Sequence, residues 1–186
     1  MATSFGGPAS PDQPHLSGGE LRRRLDFDDA RLLAECEIHF HRVSGPGGQH
    51  RNKVVSAVRL HHKPSGLMVT GTERRSQHEN KANAVRRLRE AIATYTRAPL
   101  PEQFSWPGGV QIEGGRLRVN EKNPALPQVI GLVLDALFVC GGKHQEAAAR
   151  LGVTPSSLTR FLSEHPKAWV EANRIRKEAG LPALRA

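Results

Sequence analysis

The chain has 186 residues, 38% of them apolar, with two cysteines and a formal net charge of +9. That length supports one ordinary core, or one core with a small helical module beside it, and the two distant cysteines exclude a disulfide framework or a CxxC metal pair. No apolar run reaches the ~18 residues a membrane helix needs and the N-terminus lacks a basic-then-apolar signal pattern, so a soluble, cytoplasmic chain with no membrane partner is expected.

Residues 1–19 are rich in Gly, Pro and Ser and read as a disordered N-terminus. From Glu20 to Cys36, Leu21, Leu25, Leu32 and Leu33 recur among charges, which predicts one or two short helices. The run EIHFHRVS then predicts a strand with Ile38, Phe40 and Val43 on its buried side, and SGPGGQHRNK (44–53) follows as a loop. Two β-rich runs, Ala57 to His61 and Leu67 to Thr70, flank the turn residues KPSG and predict a hairpin. Ser76 with Glu79 three residues on is a capping-box pattern. The helix it opens has Val85, Leu88, Ile92 and Tyr95 at helical spacing, with Lys81, Arg86 and Arg89 on the other face, until Pro99 ends it. Residues 98–127 read as a linker, Pro- and Gly-rich, with a small hairpin around VQIEGGRLRV. Beyond Gln128 the pattern is helical. Gly152 ends one short helix, Thr154 and Pro155 cap and open the next, and Leu151, Val153, Leu158 and Phe161 are apolar, which is a helix-turn-helix pattern. The expected fold class is α+β: a small domain over 20–97 built from a strand, a glycine loop, a β-hairpin and a packing helix, then an all-α module over 128–186.

Between His41 and Arg97 there are 12 Lys or Arg against 3 Glu, while the rest of the chain balances 15 basic with 15 acidic residues. The whole excess lies around the glycine loop, which suits a phosphate backbone. Gly47 and Gly48 leave the next backbone N–H uncovered, so the loop is built for something large to come close to it.

The run SGPGGQHRNKVVSAVRLHHKPSGL, followed by ERRSQHENKANAVRRLR, resembles the peptidyl-tRNA hydrolysis domain of class I peptide chain release factors over roughly Cys36 to Ala93. The resemblance implies that Gly47, Gly48 and Gln49 form a catalytic tripeptide that enters the peptidyl-transferase centre and promotes hydrolysis of the ester of peptidyl-tRNA. It implies as partners the ribosome, through its large-subunit RNA, peptidyl-tRNA, and a methyltransferase acting on Gln49. Arg51, Lys53, Arg74, Arg75 and Lys81 are the expected RNA-phosphate contacts. No cofactor and no metal are expected. Pro46 stands where alanine is common in the family, and nothing in the chain resembles the codon-reading tripeptides. The expected function is therefore codon-independent rescue of stalled ribosomes.

A rival reading is a non-enzymatic helix-turn-helix protein that binds nucleic acid, with Ser156, Ser157 and Arg160 facing a groove. The stretch around LGV and LTRFL resembles the helix-turn-helix of Fis-type DNA-binding proteins over about twenty residues. His39 and His41 share a strand face and His61 and His62 lie near the hairpin turn, but no acidic or cysteine ligand is spaced to complete a metal site, so surface or RNA-facing roles are expected. Trp106 and Trp169 read as local packing anchors.

Overall fold

A computed structural model describes residues 16–42, 55–101 and 104–185. The glycine loop, with Gly47, Gly48, Gln49, Arg51 and Lys53, lies outside the described residues, as do residues 1–15. The described residues form a mixed α+β chain that divides into two compact units, Met1–Ile92 and Ala93–Ala186.

In the first unit, helix α1 (Gly18–Arg22) opens with a full capping box, Ser17 with Glu20, in a stretch that composition assigned to the N-terminal tail. A 3-10 turn (Arg23–Asp26) and α2 (Asp29–Ala34), capped by Asp28, bury Leu25 and Leu32. Three antiparallel strands follow in the order β1 (Cys36–His41), β2 (Ala57–His62) and β3 (Leu67–Gly71). Register is set by period-two alternation. Ile38 lies opposite Leu60, and Leu60 opposite Val69, so Val58, Leu60 and His62 share the inner face. The expected burial of Phe40 is not met, because the residue is 49% exposed, and Val43 lies outside the described residues.

Helix α3 (Gln77–Tyr95) completes this unit, with Ala84, Val85, Leu88, Ala91 and Ile92 buried. Tyr95 does not continue the stripe and is exposed. Gly71 permits the close approach of β3 to this helix, since a Cβ there would sit 2.1 Å from the Asn80 carbonyl oxygen.

In the second unit, β4 (Gln111–Glu113) and β5 (Arg116–Arg118) pair as the expected hairpin. Gly114 (φ +55) and Gly115 (φ +74) both take the left-handed backbone of a two-residue turn. Four helices follow: α4 (Leu126–Val139), α5 (His144–Arg150), α6 (Pro155–Glu164) and α7 (Pro166–Glu178). Val129, Val133, Leu134, Leu137, Leu158 and Leu162 are fully buried. Helix α5 stops at Gly152 (φ +67), where Val153 N–H donates to the Ala148 carbonyl (3.0 Å), and the Thr154 side chain accepts from Ser157 N–H to cap α6. Among the described residues no helix is long and apolar enough to cross a membrane.

Candidate functional site

The ends of the glycine-rich connection are well defined. His41 closes β1 and Ala57 opens β2, and these two residues are paired across the sheet. Residues 42–56 therefore leave and rejoin the fold at one place. Two side chains of α3 fasten the returning end: Gln77 Nε2 donates to the Val55 carbonyl (2.9 Å), and Asn80 Nδ2 donates to the Ser56 carbonyl (2.7 Å). Asn80 is completely buried. Its Nδ2 also donates to the Arg74 carbonyl (2.7 Å), and its Oδ1 accepts from Arg74 N–H (2.9 Å). One amide thus ties the end of the connection to the β3–α3 turn, with both of its N–H donors and its carbonyl oxygen engaged in a buried place.

That turn carries two of the expected phosphate contacts. Arg74 and Arg75 are exposed, with the Arg74 backbone held by Asn80, and Lys81 is half-buried one residue beyond it. Ser76 Oγ accepts from Glu79 N–H (3.3 Å) and caps the helix as its sequence pattern anticipates. Arg86 is exposed as expected. Arg89 is not a solvent-facing cation: it donates to the Leu25 carbonyl (2.9 Å) and the Phe27 carbonyl (2.6 Å) and pairs with Asp29 (2.8 Å). Its guanidinium links α3 to the 3-10 turn and the start of α2. Arg87 likewise donates to the Thr70 carbonyl and pairs with Glu73 (2.6 Å), and that guanidinium holds the Glu73 carboxyl below its ordinary range despite the opposing cost of burial.

The solvent face of the sheet is rich in cations and imidazoles. His39 lies opposite Arg59, and Glu37 opposite His61. Glu37 Oε2 sits 3.4 Å from His61 Nδ1 and 3.9 Å from His39 Nε2, and the His61 hydrogen bond lowers its pKa. Among the described residues no group of three or more His, Cys, Asp or Glu is arranged to hold a metal ion.

His62 corrects the expectation of a surface histidine. It is fully buried, because strand alternation puts it on the inner face with Val58 and Leu60. Its Nδ1 meets Ser65 Oγ at 2.6 Å and its Nε2 meets Glu35 Oε2 at 3.0 Å. Burial lowers its pKa against the opposing pull of Glu35. Glu35 is held in turn by two of the three Arg24 nitrogens, Nη2 (3.1 Å) and Nε (3.2 Å); burial alone would raise its pKa, and Arg24 with His62 brings it below the ordinary value. Neighbouring Cys36 is pushed up to about 11 by burial. This is a structural clasp between the helical start of the unit and the β2–β3 turn.

In the second unit, Trp106 makes an edge-on contact with Phe104 (5.5 Å between centroids), in keeping with a packing role. Ser157 is not free to face a groove, since its Oγ accepts from Leu117 N–H (2.8 Å). Ser156 and Arg160 are exposed, Arg160 pairing with Glu164 (2.9 Å). Gln77 and Asn80 stand inside the RSQHENK run that carries the family resemblance, but nothing in their spacing marks them as the residues that fasten the end of the connection.

Residues 32–105 match the RF-1 domain. The chain is similar to peptide chain release factor 1 of Acidiphilium cryptum, with 49% identity over 73 residues, which are 39% of this chain and 21% of that protein. It is 54% identical to peptide chain release factor 1 of Novosphingobium aromaticivorans over 81 residues, 42% of this chain and 23% of that one. To peptide chain release factor 2 of Acidithiobacillus ferrooxidans it is 48% identical over 87 residues, 45% of this chain and 24% of that one. The chain thus spans about a fifth to a quarter of the length of these relatives.

Proposed function

We propose, from the premise that residues 32–105 belong to the RF-1 domain family, that this chain hydrolyses peptidyl-tRNA on the ribosome. The role is release-factor-like, and the finer reading is codon-independent rescue of stalled ribosomes. The observation that carries it is positional: the connection bearing Gly47, Gly48 and Gln49 falls inside the matched residues, and its two ends are fixed by the His41–Ala57 pairing and the Asn80 and Gln77 clamps.

In this reading the two glycines let the loop lie against ribosomal RNA without side-chain clash. The Gln49 backbone N–H donates to the ester oxygen as it becomes negative under attack by water, and the Gln49 side chain orients that water. No general base of the chain is required: as the water oxygen bonds to the carbonyl carbon and the acyl–oxygen bond breaks, the water's proton passes to the departing ribose oxygen by way of the tRNA's own ribose hydroxyl and the ribosomal RNA, while the loop contributes positioning and one preorganised donor. Arg51, Lys53, Arg74, Arg75 and Lys81 hold RNA phosphates and set the orientation of the domain. Gln49 is the site at which a methyltransferase would act.

The test is single-turnover peptide release from ribosomes carrying labelled peptidyl-tRNA, on mRNA truncated in the P site and on stop or sense codons. Release on the truncated complex alone, abolished by Gly48→Ala and reduced less by Gln49→Ala, is the expected result. Release that requires a stop codon would overturn the rescue reading, and no release on any complex would overturn the hydrolase reading.

A further inference from the structure

The second unit carries a surface that the peptide-release reading leaves unused. Helices α5 and α6 are joined by a tight glycine turn, and α6 buries only one side, with Leu158, Phe161 and Leu162 facing the core. At 100° per residue, its opposite side consists of Ser156, Thr159, Arg160, Ser163 and Glu164, the last paired with Arg160. Three of these five are short hydroxyl side chains, so the helix backbone can come close to whatever it meets.

The hairpin flanks that face. Gly115 O accepts from Thr154 N–H (2.8 Å), Ser157 Oγ accepts from Leu117 N–H (2.8 Å), and Leu117 is buried. Ser157 lies on the rim of the buried side of α6, so the hairpin docks along one edge and leaves the hydroxyl face open. Strand alternation then turns Arg116 and Arg118 away from Leu117 into solvent, and both are exposed.

The charges at this surface are unevenly used. Residues 93–186 hold 12 cationic and 8 acidic side chains. Asp135, Glu146, Glu164, Glu171 and Glu178 are engaged by Arg97, Lys143, Arg160 and Arg174. Arg116 and Arg118 form no ion pair among the described residues, although Glu113 stands opposite Arg116 in the hairpin. An exposed pair such as Arg160–Glu164 is worth at most about 1 kcal/mol, so Arg160 is available to a stronger anion.

We infer that the α6 face and the β4–β5 hairpin together form a winged helix-turn-helix surface that binds B-form duplex DNA. In this arrangement α6 lies in the major groove and Arg116 and Arg118 lie on the flanking phosphates. The groove decides between duplexes. The B-form major groove is about 12 Å wide and admits an α-helix, whereas the deep, narrow major groove of A-form RNA does not. Arg160, with three hydroxyl groups beside it, supplies donors and acceptors for base edges, and the hairpin supplies only charge.

The test is fluorescence anisotropy of the full chain with a labelled DNA duplex of mixed sequence and with the RNA duplex of the same sequence, titrated over about 50–200 mM salt. The basic first unit contributes background binding to both, so the variants carry the decision. Arg116→Ala with Arg118→Ala is expected to reduce the salt slope for DNA by about two, because each lost phosphate contact removes about 0.9. The double lysine variant is expected to restore that slope. Ser156→Glu, an exposed change that leaves the core intact, is expected to abolish the part of DNA affinity that depends on these arginines. An unchanged slope in the double alanine variant would overturn the surface. Equal loss for the RNA duplex would overturn the major-groove assignment.

Discussion

Replacing Asn80 with alanine tests whether the α3 clamp positions the glycine-rich connection. The side chain is fully buried and makes three hydrogen bonds of 2.7, 2.7 and 2.9 Å to Ser56 and Arg74. At about 1 kcal/mol net for each bond, the first unit should lose about 3 kcal/mol. That is a large share of the ~5–15 kcal/mol by which a domain is stable. Both tryptophans, Trp106 and Trp169, lie in residues 93–186, so their fluorescence reports the other unit. Native-state hydrogen exchange of the α3 amides reads the right transition. Asn80→Asp is the near-isosteric control. At neutral pH it places a carboxylate oxygen against the Ser56 and Arg74 carbonyls, so it should cost at least as much as alanine and recover partly in acid, when the carboxyl can donate. Single-turnover release by the folded Asn80→Ala fraction should slow by about tenfold to a hundredfold, as expected for a displacement of about 1 Å in a positioned group. A loss of less than about 1 kcal/mol in α3 exchange, or a stable Asn80→Asp at pH 7, would refute the reasoning.

Gly71→Ala forces a Cβ to 2.1 Å from the Asn80 carbonyl oxygen and should destabilise the first unit by about 1–3 kcal/mol, read by the same exchange measurement. His62 should titrate in an NMR experiment with a midpoint below the unperturbed value of about 6.5, because burial depresses it. An imidazole with a depressed folded pKa binds protons more readily once unfolded, so its contribution is intact at neutral pH. The first unit should lose stability as pH falls through about 6.5 toward the folded value, and His62→Gln should flatten that slope. Thr154→Ala removes the acceptor that caps α6 and should cost the second unit about 1 kcal/mol, visible as an earlier denaturation midpoint in tryptophan fluorescence.

The match to the RF-1 domain over residues 32–105 was legible in the sequence because the resemblance is carried by runs of consecutive residues inside that range: GGQ with HRNK, the SAVRL strand, the PSG turn and the RSQHENK helix start. Elements with short-range signals were equally legible. Ser76, Gly152, Thr154 and the Gly114–Gly115 turn act through neighbours within a few residues, and each takes the role its pattern anticipates. The placement of His62 was available in principle, since it continues the Val58, Leu60 alternation. Its paired neighbour His61 hid the inward member.

Local sequence, then, determined the order of helices and strands, the position of the glycine loop between two strands, and the concentration of positive charge around it, because propensity, capping and period act over a few residues. Only the tertiary structure decided that Asn80 clamps Ser56 across 24 positions, that Arg89 spends its charge on the Leu25 and Phe27 carbonyls, and that Ser157 pins a hairpin rather than facing a groove. Those roles depend on which distant carbonyl or N–H is left unsatisfied when the elements pack, and no spacing along the chain encodes that.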